Sequence, residues 1–348
     1  MDEQTMQAVY LTGHGGNEVV TVGERPRPRR APGEVLVRLR AATLNRVDLY
    51  MRDSGAGITH RLPQIMGIDG AGEVEEVDVG EPLLRAGQRV LVHPGISCGR
   101  CEFCARGEGV LCGSVSYLGE HRDGTLAQFV SLPARNVFPM PEGFSFEEAA
   151  ALSVNHLTAW RMLFSKAQLK PWETVLIFGI GGGVSLAALQ LVKWAGARAI
   201  VTSRDDAKLE RALALGADHA VNGAKQDVAK AVLALTGGRG VDVVIENIGA
   251  AVWGSALRSV VRGGRIVTCG ATSGDQPPAD LRRVFIRQLQ IFGSTLGDLH
   301  EMDALLKACA GGGIRPVIDS TFEMADIHAG LDRLESGRQF GKVGVRVG

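Results

Sequence analysis

Residues 173–203 read "ETVLIFGIGGGVSLAALQLVKWAGARAIVTS", and this stretch decides the fold. Its apolar run "VLIF" is short, unbroken and stopped by glycine, the pattern of a strand covered on both faces. "GVSLAALQLVKWAGA" (183–197) spaces its apolar residues for an amphipathic helix ending at glycine, and "RAIVTS" (198–203) is the next strand. Further on, "DAKLERALALGA" (206–217) predicts a helix, while "GVDVVIENIG" (240–249) and "GRIVTCG" (264–270) predict buried strands. "LQIFGSTLG" (289–297) is expected to be the last strand. Short apolar strands alternating with helices specify an α/β fold with a parallel, doubly wound sheet.

The turn inside the opening stretch, Phe178-Gly-Ile-Gly-Gly-Gly-Val-Ser185, lies between strand and helix. Backbone amides and a helix dipole there can hold a pyrophosphate, and glycines let the phosphate approach. Gly179, Gly181, Gly182, Gly183 and Val184 are therefore candidate cofactor contacts; the bland alternative is a merely tight turn. About twenty positions on, such sites carry an acid for the ribose hydroxyl of NAD. Here the second strand ends at Ser203, followed by Arg204 and, one turn into the next helix, Lys208. A hydroxyl and two cations suit a 2′-phosphate, so NADP(H) is the expected cofactor. NAD(H) is the alternative if Asp205 or Asp206 reaches the ribose instead of capping the helix.

Upstream of about residue 150 the pattern is strand-rich. "EVLVRLRA" (34–41) alternates as a half-buried strand does, and "AGEVEEV" (71–77) and "QRVLVHPG" (88–95) look like further strands. Ser145 and Glu148 form a capping box before the helical run "EEAAALSVNHLTAWRMLF". Residues 97–113 hold Cys98, Cys101, Cys104 and Cys112, four of the six cysteines. Four thiolates close a tetrahedral shell around Zn²⁺ with no open position, so one structural zinc is expected. The alternative is a redox or iron–sulfur site, although bacterial-type cluster runs space their last cysteines more tightly and end in Cys-Pro. Cys269 and Cys309 stand alone and are expected to be core or surface thiols, Cys269 ending a strand near the cofactor crevice and lining the site without reacting.

Length favours two domains, since 348 residues exceed what one core usually supports. Lys+Arg and Asp+Glu both number 38, so net charge gives no sign of a nucleic-acid or anionic-membrane partner. The basic run "ERPRPRR" (24–30) is broken by prolines and reads as a solvated connector. No apolar stretch is long enough to span a bilayer, and "MDEQTMQAVYL" has no signal-peptide pattern. A cytoplasmic protein is the expectation, with a small-molecule substrate.

A strand-rich first part, a four-cysteine lobe and a dinucleotide-binding region together resemble the medium-chain dehydrogenase/reductase superfamily, over essentially the whole chain. The resemblance implies a GroES-like domain from residues 1–150 and 297–348, a Rossmann domain from 151–296, and an active site in the cleft between them. Zinc alcohol dehydrogenases of this superfamily carry a second, catalytic zinc on a cysteine, the histidine of "GHE" and another cysteine. Here those places hold Asn45, Ile68 (in Gly67-Ile68-Asp69) and Val154, while the relay residues are Val47 and Tyr50. A rebuilt zinc site on Asp48, Asp69 and His156 is disfavoured by so many substitutions. "Asn-x-x-Asp-x-Tyr" with Gly-x-Asp is similar instead to the zinc-independent quinone oxidoreductase (zeta-crystallin) branch, although that branch typically lacks the cysteine lobe. The branch's usual "AAGGVG" loop ends here in Ser185, which questions how tightly helix and strand pack.

By matched position the resemblance implies that Asn45, Thr158, Ser203, Lys208 and Asn222 contact the cofactor. Asn247, Gly249, Cys269 and Gly270 would form the lip of its crevice, with Ser294 and Thr295 near the nicotinamide amide. Lys342 matches the family's basic residue near the C-terminus. A homodimer along 289–295 is implied, with a tetramer as the alternative.

Without a Lewis acid, alcohol oxidation is hard, whereas a quinone or enone spreads the incoming charge into a hydroquinone anion or enolate. The expected reaction is hydride transfer from NADPH to a quinone or activated alkene. Tyr50 is the candidate donor to the oxyanion, with Asn45 orienting substrate or nicotinamide, Asp48 supporting the loop and His156 flanking. The alternatives are an alcohol dehydrogenase or aldehyde reductase, and a protein that binds NADPH without turnover.

Overall fold

The structure, a computed structural model, describes residues 4–348. The chain folds into two compact units, one of Met1–Val154, Gly297–Gly311 and Pro316–Gly348, the other of Asn155–Leu296 and Gly312–Arg315.

In the second unit six parallel strands lie in the order His219–Asn222, Arg198–Ser203, Thr174–Ile177, Val241–Glu246, Val260–Thr268, Gln290–Gly293. Numbered along the chain this order is 3-2-1-4-5-6, and it reverses between Thr174–Ile177 and Val241–Glu246, where such sheets open for a dinucleotide. Val175, Leu176, Ile177, Val243 and Val244 are wholly buried because helices cover both faces. The strand expected near 289–297 is present as Gln290–Gly293, at the sheet edge.

The helical run after Ser145 departs from the sequence pattern. Its capping box forms, but the run alternates between α-helix (Phe146–Ala151, Leu157–Trp160) and the wider π form (Leu152–His156, Arg161–Lys166). Each π turn shifts the facing of later side chains, so a straight 3.6-residue reading misplaces them. His156, expected on the helix surface, is buried.

The first unit is built on a seven-stranded sheet ordered Val137–Pro139, Arg89–Val92, Asp69–Glu76, Glu34–Leu44, Lys342–Arg346, Ile318–Glu323, with Phe129–Pro133 also pairing Glu34–Leu44. Periodicity could not place the C-terminal strand; it lies antiparallel to Glu34–Leu44, with Val343 opposite Leu44. This puts Lys342 beside the end of the strand that leads into Asn45. A core of Val35, Val37, Leu39, Leu44, Val343 and Val345 holds the insertion in place. Among the described residues no helix is long and apolar enough to cross a membrane.

Candidate active site and four-cysteine lobe

The glycine turn closes at the carboxyl end of Thr174–Ile177. Gly179 and Gly181 take positive φ (69° and 112°), the left-handed region that disfavours side chains. A Cβ on Gly181 would sit 2.8 Å from Lys208 Cδ, so the lysine stem lies across the turn. Helix Gly183–Trp194 starts with no side-chain cap at Gly182, which leaves its first amides for a ligand. Ser185 does not loosen the packing: it is fully buried, donates to Phe178 O at 2.7 Å and accepts from Asn247 Nδ2 at 3.0 Å.

Beyond the second strand, Ser203 Oγ accepts from the Asp205 amide at 3.1 Å. Asp205 Oδ1 accepts from the Ala207 amide at 2.9 Å and so caps the helix Asp206–Ala214. Asp206 takes the Asn222 amide at 2.7 Å and Lys225 Nζ at 2.5 Å. Asn222 Oδ1 is engaged as well, by the Ala224 amide at 2.9 Å, so Asn222 holds Asp206 in place. Arg204 is exposed, and its guanidinium has no acidic partner among the described residues. The capping alternative for Asp205 is what the geometry shows.

At the switch point, Gly249 has φ 90°, and a Cβ there would meet Gly274 O at 2.3 Å. Sequence reasoning missed Glu246, which is wholly buried and accepts the Ile248 amide at 2.5 Å, the Gly249 amide at 2.6 Å and Thr268 Oγ1 at 3.0 Å. Burial, reinforced by Glu246, pushes the Cys269 thiol up to about 12, and burial does the same to Cys309, so neither is a nucleophile at neutral pH. Gly270 follows directly, backed by Asn247 O. Thr158 is buried. Ser294 N donates to Thr268 O at 2.9 Å, while its Oγ is buried with no partner, and Thr295 is exposed.

The four cysteine thiols lie within 4.8 Å of one another, with Cys98–Cys104 at 3.9 Å and Cys101–Cys104 at 3.5 Å. A tetrahedral zinc with bonds of about 2.3 Å requires sulfur separations of roughly 3.8 Å, so the residues fit the ion. Amides of Arg100 and Cys101, with the Cys112 side chain, bring Cys98 down to about 6. Cys101 receives the Cys104 amide but is pushed up to about 11 by desolvation and the neighbouring thiols. Crowded thiols share protons in this way until a cation replaces those protons. Among the described residues no other group of three or more His, Cys, Asp or Glu side chains gathers as metal ligands do.

At the expected place of the catalytic metal the chain has built a polar cluster. Asn45 is 6% exposed and precedes helix Arg46–Ser54. Its Oδ1 accepts Lys342 Nζ at 2.6 Å, and its Nδ2 donates to Asp69 Oδ2 at 2.8 Å and Thr43 O at 3.0 Å. Both amide hydrogens are thereby used, so Asn45 positions its neighbours and has no donor left for substrate. Asp69, fully buried, also accepts the Thr43 amide and hydroxyl at 2.7 and 2.8 Å, with Lys342 Nζ at 3.4 Å. Lys342 is 4% exposed and donates further to Leu44 O at 2.9 Å. Its ammonium, expected at the cofactor, is enclosed by this cluster.

Asp48 accepts the amides of Asn45 (2.7 Å) and Gly67 (3.2 Å) and so holds the loop. Burial, opposed by those amides and helped by Asp69, raises it to about 7. Glu120, which sequence reasoning missed, is also raised to about 7, by burial and then by Asp48. Tyr50 is 41% exposed, and its hydroxyl makes no hydrogen bond among the described residues. Burial lifts its pKa, with Arg46 opposing, so it stays a donor. Ile68 and Val154 offer no donor atom, and His156 Nε2 is held by Gln190 Oε1 at 3.2 Å.

Residues 31–142 match the family model of the alcohol dehydrogenase GroES-like domain, and residues 183–311 that of zinc-binding dehydrogenase. An alcohol dehydrogenase of Geobacillus stearothermophilus is 31% identical over 332 residues, 95% of this chain and 96% of that protein. The acryloyl-coenzyme A reductase of Metallosphaera sedula is 30% identical over 342 residues, 97% and 99% of the two chains. A crystal structure described as an NAD-dependent alcohol dehydrogenase matches with TM-score 0.95 and 42% identity, covering 99% of this chain and 100% of that one. With both domains matched and relatives similar from end to end, the chain belongs to the medium-chain dehydrogenase/reductase superfamily, as a zinc-type alcohol dehydrogenase-like, NAD(P)H-dependent oxidoreductase.

Proposed function

We propose that the protein is an NADPH-dependent reductase of quinones or activated alkenes, enones and enoyl thioesters included, that works without a catalytic zinc. One observation carries the reading. The ammonium of Lys342 is bonded to Asn45 and Asp69 where a catalytic metal would need their oxygens, and Ile68 and Val154 supply none. The similarity to an acryloyl-coenzyme A reductase supports an activated alkene.

NADPH, when bound, supplies the hydride. The uncapped amides at Gly183 and beyond suit its pyrophosphate, and Ser203, Arg204 and Lys208 suit its 2′-phosphate. Tyr50 donates a hydrogen bond to the oxygen on which charge develops, and the Lys342, Asn45 and Asp69 cluster fixes the start of the helix that carries it. A charge spread over an enolate or hydroquinone needs only such a donor. The four-cysteine lobe suits one structural zinc. A cytosolic homodimer completes the reading, supported by the unpaired edge strand Gln290–Gly293 and by exposed Phe285, Ile286 and Ile291 beside it.

The second reading is an alcohol dehydrogenase using NAD, favoured by the names of two similar proteins. NADPH and NADH oxidation across quinones, enones, enoyl thioesters and aldehydes, with zinc measured on the same sample, separates the readings. One zinc per chain and turnover of conjugated acceptors are expected. Two zincs with chelator-sensitive alcohol oxidation would replace the proposal, and cofactor binding with no turnover at all would leave a binding protein.

A further inference from the structure

We propose that Asp298 and His93 latch the four-cysteine lobe to the chain segment that follows the last nucleotide strand, so that metal loading of the lobe sets affinity for the nicotinamide half of the cofactor. This rests on the dinucleotide reading above. In a 3-2-1-4-5-6 sheet the two halves of a dinucleotide lie over strands 1–3 and strands 4–6, so Ser294, at the carboxyl end of the sixth strand, belongs to the second half. Its buried hydroxyl without a partner is what a cofactor amide would satisfy.

The segment from Ser294 to Asp298 is held at both ends. Ser294 N is fixed to Thr268 O at 2.9 Å. At the other end, Asp298 is buried, and its Oδ1 accepts the amide of Val110, two residues before Cys112, at 2.9 Å. A Cβ on Gly109 would lie 3.1 Å from Ser97 Oγ and 3.3 Å from Asp298 Oδ1, so glycine there lets the lobe close on Asp298. His93 is buried and kept neutral by desolvation, and its Nδ1 accepts from the Gly95 amide at 3.2 Å. Its Nε2 therefore donates to Gly297 O, at 2.8 Å. Between the anchors sits Leu296, buried, with φ 43°, a left-handed backbone that a branched residue keeps only where its surroundings enforce it. With the lobe slack, Leu296 is free to leave that conformation, and Ser294 and Thr295 turn with it.

Affinities for NADPH and for 2′,5′-ADP, which lacks the nicotinamide half, test this by calorimetry. Zinc-stripped wild type and zinc-loaded Asp298→Ser, whose hydroxyl still caps helix Leu299–Ala310 but falls short of Val110, should each lose about ten-fold in NADPH affinity, with 2′,5′-ADP unchanged. Gly109→Ala should lose about three-fold, and Asp298→Asn should restore binding. Unchanged NADPH affinity in Asp298→Ser, or equal losses for both ligands, would overturn the latch. Should stripping unfold the chain, the zinc-loaded variants decide alone. A wild-type chain that binds neither ligand would sink the cofactor reading instead, and hydrogen exchange in 294–298 on chelation would then decide the latch, with unchanged protection ruling it out.

Discussion

The four-cysteine lobe and the cluster around Lys342 are two ways of closing a set of ligand-type side chains. In the lobe, the thiols stand at the separations of a tetrahedral site and divide their protons unevenly, Cys98 near 6 and Cys101 near 11. Its balancing charge has to come from outside the chain. Around Asn45 the balancing charge is a side chain: one ammonium meets one carboxylate of Asp69, and the second carboxyl, Asp48, keeps a proton to about 7. The first arrangement depends on a cation from outside the chain, whereas the second balances its own charge, with Asp48 titrating near 7. A lysine in such a cluster supplies a fixed cation but no open coordination position for a substrate.

The comparison breaks most easily at the lobe. A strong chelator should lower the melting temperature on the order of 10 °C, reversed by zinc, because the ion's binding energy becomes folding energy. A thermal scan that does not move would mean that the lobe closes without metal. Metal analysis giving a second zinc, lost together with activity in Asp69→Asn, would break the other half.

Lys342→Met should cost about 3 kcal/mol in urea unfolding, since it leaves the Asp69 carboxylate buried without its cation. Adding Asp69→Asn should recover more than half, and a purely additive double variant would show that the pair is not coupled.

A smaller effect follows from Asp48. An acid raised in the folded state gives stability that is complete below its unfolded value near 4 and is lost as pH climbs through the folded value near 7. The stability owed to Asp48 should therefore fall between pH 4 and 7, by a few kcal/mol at most, and Asp48→Asn should flatten that part of the slope in urea titrations. Glu120, raised to about 7 as well, adds a slope of the same sign and comparable size. A slope unchanged in the variant would show that Asp48 is ionised well below 7.

Tyr50→Phe should give the smallest change, a several-fold drop in turnover at unchanged NADPH affinity, on the order of 1 kcal/mol in the barrier. An unaltered kcat would remove Tyr50 from the reaction and leave the cluster beside it purely architectural.

Local pattern carried much of this protein. The run Val175–Phe178 followed by glycines read as a buried strand ending in a turn, and the cysteine spacing is itself a metal geometry, because all four ligands fall within fifteen residues. The capping box at Ser145 and the capping of Asp206–Ala214 by Asp205 were equally readable, being contacts between near neighbours. The helix from Phe146 was not, since its π turns answer to packing rather than to spacing.

What only the tertiary structure decided are the long-range pairings. Asn45 and Lys342 are nearly three hundred positions apart in sequence, and nothing near either announces the other; they meet because the C-terminal strand inserts beside Glu34–Leu44. That insertion turned Asn45 from a candidate substrate contact into a brace and took Lys342 out of solvent. The contact of the lobe with Asp298, through the Val110 amide, is another pairing between distant parts of the chain. Sequence determines which groups are present and what near neighbours do with them, whereas the direction of each donor and the burial of each charge depend on partners that only the folded chain supplies.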